Sequence, residues 1–196
     1  MSYLNTTPVK YVLAFCLVIT LGCKKSGNTD ATNQNNAQIS QRFKGKYAIV
    51  SAISNQPVDV NLDGVKSVDM FQEIPDLKNS YIELRISSDL KTNIFTQFWQ
   101  NQAFPYGSKP AAYDPGFYFL YANQATVGLF NFNPSLTRLE VFRDDTISQK
   151  DFPLPKLVEV IANDQIHIPT EKTLYTRSGM IPVTIDVVYK RFTTVL

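Results

Sequence analysis

From Lys44 onward, apolar residues recur in short runs broken by turn residues, a pattern of β-strands more than of helices. Residues 47–53 are apolar on both faces. Ser80, Ile82, Leu84 and Ile86 alternate with Tyr81, Glu83 and Arg85, which predicts one buried and one wet face. Residues 94–100, 117–122 and 126–132 read as further strands, with Asn123 and Gln124 as a hairpin turn between the last two. Residues 137–143, 157–162, 165–170 and 174–177 continue the series, with a tight turn at Asn163 and Asp164. The longest run, 181–192, follows Ser178 and Gly179; its Ile181, Val183, Ile185, Val187 and Tyr189 share a face on which Arg191 also falls. Residues 68–77 are the one short helix, limited by Pro75. Residues 101–116 and 144–155 are long proline-bearing loops suited to a mouth or lid. This spacing predicts an all-β, antiparallel single domain of about eight to ten strands, a sandwich or a barrel.

The N-terminus has another pattern. Lys10 precedes twelve uncharged residues, YVLAFCLVITLG, and then Cys23. A cationic start, a short apolar run and small residues at its end describe an export signal. The run is too short to cross a ~30 Å hydrocarbon core as a helix. Its last residues, Thr20-Leu21-Gly22-Cys23, resemble the bacterial lipoprotein signal, although Thr20 stands where that family usually has Leu. The resemblance implies removal of residues 1–22 and a lipid on Cys23, hence attachment to a membrane of the cell envelope, facing the periplasm or the surface. Lys24 is not the Asp that commonly retains such proteins in the inner membrane, which leans toward the outer one. Residues 23–41 are almost wholly polar after the cysteine and are expected to form a flexible, disordered tether. The folded domain is then residues 42–196.

Cys16 leaves with the signal and Cys23 takes lipid, so the domain must hold without a disulfide. A formal charge of +2 and no long basic run give no pull toward nucleic acid. Aromatic residues are 12% of the chain, which favours strands.

The body opens with Arg42-Phe43-Lys44-Gly45-Lys46-Tyr47 and ends with Val188-Tyr189-Lys190-Arg191. A Gly-x-aromatic at the start of the first strand resembles the lipocalins, with Tyr47 in place of the usual Trp. That likeness implies a lipocalin-like β-barrel, closed at its base by Gly45, Tyr47 and Arg191, the arginine packing across the aromatic ring. It also implies a small apolar ligand in the barrel, for which the aromatic strands supply Phe98, Phe117, Phe119 and Tyr121 as candidate walls. In the alternative reading the barrel is filled and serves as an accessory subunit of an envelope complex, with Trp99 and the 101–116 loop facing a partner protein.

Asp59-Val60-Asn61-Leu62-Asp63-Gly64 matches the opening of an EF-hand-type Ca²⁺ loop. Asp69 or Glu73 would supply the closing carboxylate, because the twelfth position is Met70. Asp59, Asn61, Asp63 and Asp69 are therefore candidate calcium ligands; in the alternative reading Val58, Val60 and Leu62 alternate with Asp59, Asn61 and Asp63 as in a half-buried strand ended by an Asp-Gly hairpin. His167 is the only histidine, and no nucleophile, metalloprotease or phosphate-loop motif occurs. A binding protein is expected rather than an enzyme; the enzymatic alternative is a carboxylate-based hydrolase.

Overall fold

A computed structural model describes residues 28–105, 109–110, 112–143 and 153–196. The expected export signal 1–22, Cys23 and most of the expected loop 144–155 lie outside the described residues. Antiparallel strands predominate among the described residues, with little helix. Helix α1 (Asn28–Phe43) precedes strand β1 (Gly45–Val58), and short β2 (Ser67–Asp69) leads into helix α2 (Met70–Glu73). Strands β3 (Tyr81–Arg85), β4 (Asn93–Ala103), β5 (Leu120–Phe132), β6 (Leu139–Phe142), β7 (Glu159–Ala162), β8 (Gln165–Thr176) and β9 (Gly179–Thr193) complete the chain.

All pairings are antiparallel, in the order β6-β5-β4-β3-β1-β9-β8-β7, with β2 added to β1. Apart from β2, strands adjacent in sequence pair with one another, except β6 and β7, which form the two edges of the sheet, and β9 returns to β1. The sheet is strongly curled, and its two outer strands meet again at one place. There Arg138 lies opposite Glu159, Leu139 N–H donates to Val158 C=O (2.9 Å), and Val160 N–H donates to Thr137 C=O (2.8 Å). The all-β, antiparallel, barrel-like fold with a short helix is thus the architecture of this chain.

The inward rows follow from strand periodicity. On β9, Val183, Ile185, Val187 and Tyr189 are buried, while Asp186 and Lys190 face out. Leu84 of β3, Phe95 of β4, Phe130 of β5 and Ile166 of β8 pack with them. Burying a side chain of this size contributes about 1.5–3 kcal/mol. A polar pair is also enclosed: Gln97 Nε2–H donates to Tyr189 Oη at 2.9 Å. The lower half of the barrel is therefore filled. Gly128 of β5 has no room for a Cβ, which would stand 2.9 Å from Leu154 Cδ2 and 3.0 Å from Val141 Cγ1.

Sequence expectations are corrected in two regions, the strands and the tether. Asn123 and Gln124 do not turn; they lie inside β5, opposite Gln100 and Trp99. The long β4 offers an unbroken ladder, and its pairing overrides the turn preference of Asn. Likewise 165–170 and 174–177 belong to one run, β8, which keeps unbroken register with β9 as far as Thr176. The second correction is the tether, because residues 28–43 form α1 instead of a disordered segment. Ile39 and Phe43, one helical turn apart, are both buried and give an otherwise polar helix its anchor. Among the described residues, no helix is long and apolar enough to cross a membrane.

Candidate functional site

The base of the barrel is built around the end of α1. Phe43 is buried there and packs on Phe132 with ring centroids 4.7 Å apart. The last carbonyls of a helix lack partners within it. Here barrel side chains supply them: Arg191 donates to the carbonyls of Gln41 (3.2 Å) and Arg42 (2.5 Å), and Tyr47 Oη–H donates to that of Phe43 (2.6 Å). The Arg191 guanidinium lies 5.9 Å from the Tyr47 ring centroid. Burial pushes the Tyr47 hydroxyl up to about 12, partly offset by the charge of Arg191. Gly45 has a φ of +147°, and a Cβ there would lie 2.3 Å from Thr193 O. Gly45, Tyr47 and Arg191 thus occupy one junction, the arginine beside the glycine and facing the ring.

Among the described residues the opposite end is open. A cavity of about 1100 Å³ lies among the upper parts of β4, β5, β8 and β9. Asn101, Ala103, Gln124, Lys172 and Leu174 contribute to its wall, with Phe104 and Lys109 from the following loop. Strand parity turns Lys172 inward, on the same face as the buried Ile168 and Thr170. Its Nζ donates to Asn101 Oδ1 at 2.9 Å and lies 5.2 Å from the Trp99 ring centroid. Burial pushes this amine down to about 8. Among the described residues one carboxylate, Glu171, lines the wall, and both its oxygens are 2.8 Å from Lys156 Nζ.

None of the four expected wall residues lines this cavity. Phe98 points outward between inward-facing Gln97 and Trp99, and stacks on Tyr81 at 4.4 Å. Phe117 and Phe119 surround the fully buried Tyr175 at 5.6 and 5.7 Å, so they cover β8. Tyr175 in turn exchanges hydrogen bonds with the backbone of Asp114 and Gln102 Oε1, which ties the 104–119 stretch down. Tyr121 Oη–H donates to Val60 C=O at 3.1 Å. Trp99, expected to face a partner, is 2% exposed and turned inward. The alternation of β4 carried the needed signal: with Phe95 inside, Trp99 and Asn101 must be inside and Phe98 outside.

The acidic segment forms a tight loop after β1, not a strand. Asp59 Oδ2 accepts from Gly64 N–H (3.1 Å) and pairs with Arg177 Nε (3.3 Å), while Asp59 Oδ1 is buried with no hydrogen-bond partner. Asn61 bridges to Asp63 and to Gln72 C=O, and Asp69 caps α2 by accepting from Phe71 N–H. Glu73 is buried and accepts from Val60 N–H at 2.7 Å; burial raises its carboxyl above the usual range. The four candidate calcium ligands are therefore dispersed among structural roles, with Arg177 as the counter-ion of Asp59. Among the described residues no group of three or more His, Cys, Asp or Glu is placed to hold a metal. His167 stands on the outer wall between Glu159 (3.3 Å) and Asp186 (3.4 Å). Comparison with protein-family models, with curated proteins and with solved structures finds no match to this chain.

Proposed function

We propose that this protein is a lipid-anchored binding module of the bacterial cell envelope, attached through Cys23, which holds a small ligand in the open end of its barrel. The observation that carries the reading is the cavity of about 1100 Å³ above a filled, aromatic-rich floor. Such a volume is ample for a small molecule, for which pockets run from roughly 300 to 1000 Å³. Ala103, Phe104, Leu174 and Val183 offer apolar surface beside the polar groups of Asn101, Gln124 and Lys172. A wholly apolar ligand suits this wall less well than one with a polar end. Among the described residues of the wall the one carboxylate, Glu171, is held by Lys156.

Native mass spectrometry of the full-length chain released from its own envelope tests the proposal. A small-molecule adduct is expected, and Ala103→Trp, which fills the cavity, should remove most of it. Bare protein in both preparations would sink the reading. A second reading, an accessory role on an envelope complex, draws on the apolar surface of the β4–β5 connection, where Tyr118 and Leu120 are 61% and 56% exposed. Retention of a partner by Ala103→Trp but not by Tyr118→Ser would favour it.

A further inference from the structure

Lys172 and Trp99 pose a question of hydrogen-bond supply. An ammonium carries three N–H donors, and Lys172 spends one on Asn101 Oδ1. Trp99 is buried, and its indole Nε1–H has no acceptor among the described residues. A buried donor without a partner costs about 1–3 kcal/mol. Here two such residues are adjacent, since the amine lies over the indole ring. No carboxylate lies within ion-pair distance of Lys172 among the described residues: Glu171, next to it in sequence, is taken by Lys156. Lys109, on the same cavity wall, likewise has no ion-pair partner there. The described wall thus carries two lysines and one carboxylate that is already paired, and apolar surface from Ala103, Phe104 and Leu174 adjoins it.

We propose that Lys172 is the head-group site of the cavity, and that the ligand is an amphipathic carboxylic acid whose carboxylate accepts from Lys172 Nζ while its apolar body lies along Ala103, Phe104 and Leu174. This assignment rests on the binding reading above and names the ligand class within it. One ammonium matches one carboxylate. Among the described lining residues there is no arginine to offer a phosphate a bidentate fork.

Calorimetric titration of the full-length chain in zwitterionic micelles, blanked against micelles alone, compares octanoate with its uncharged counterpart octanamide. Octanoate should bind about tenfold tighter, the gain of a charge-assisted hydrogen bond in a partly dry site. Lys172→Met should bind both compounds alike, and Lys172→Arg should restore the preference. Because Met retains the apolar stem, continued octanamide binding shows that this variant is folded. Equal binding of the two compounds by wild type and Lys172→Met alike would overturn the head-group assignment while leaving the cavity reading intact. Failure of both compounds to bind wild type would overturn both.

Discussion

At the scale of single residues, position in the pleat decides more than residue type. Gly45 is fixed by geometry: at φ +147° and with Thr193 O where a Cβ would go, no side chain fits without moving β9. Gly45→Ala should cost about 3 kcal/mol, read as a drop of roughly 10 °C in Tm; an unchanged Tm would show that the junction is soft. Lys172 yields a pH signature. Its folded value of about 8 lies below the ordinary 10.5, so the unfolded chain binds this proton more tightly. Stability therefore rises with pH from about 8 toward 10.5, and Lys172→Met should lose that rise. The buried hydroxyls of Tyr47, Tyr121 and Tyr189, all raised, act in the opposite sense above pH 10, so melting between pH 8 and 10 is the clean comparison. Lys172 was not legible as a site in the sequence. In Thr170-Glu171-Lys172-Thr173 a polar run reads as a break between strands, and only the unbroken register with β9 shows that one of its charges must point inward.

At the scale of elements, the strands with an apolar row were readable, and those that depend on a partner were not. The β9 row from Val183 to Tyr189 carries its own period, and its inward face is the one that the periodicity indicates. Strand β5 carries no such period around Asn123 and Gln124, and it exists as one piece because β4 templates it. Helix α1 is the extreme case. Its polar composition reads as a tether, yet Ile39, Phe43 and the carbonyl acceptors of Gln41 and Arg42 dock its last turn on the base. Arg191→Met removes both guanidinium hydrogen bonds and the charge over Tyr47. A loss of about 2–4 kcal/mol is expected, together with faster proteolysis within residues 28–43. Loss of stability with α1 still protected would mean that Ile39 and Phe43 hold the helix by themselves.

At the scale of the whole molecule, closure is uneven. Strands β8 and β9 pair over twelve residue positions, whereas the outer strands β6 and β7 are four residues each and meet at a single bridge. Local opening should therefore begin at this seam. Amide exchange at Leu139 and Val160 is expected to be at least ten times faster than at Ile168 and Val187, and equal protection would show that the curled sheet opens only as a unit. The short outer strands also leave the upper end open. Strands β6 and β7 are too short to carry a periodicity from which this could be read.

The docking of α1 under the barrel has a directional consequence. Asn36 Nδ2 donates to Ser88 C=O in the β3–β4 turn, so the helix lies across the base, about 24 Å of chain at 1.5 Å per residue. For a chain held at Cys23, the leash is then attached at the floor, opposite the mouth. Such a molecule stands on its membrane like a cup on a table, its rim toward the aqueous compartment. Cargo would be exchanged with soluble partners or a facing membrane, not with the bilayer beneath it.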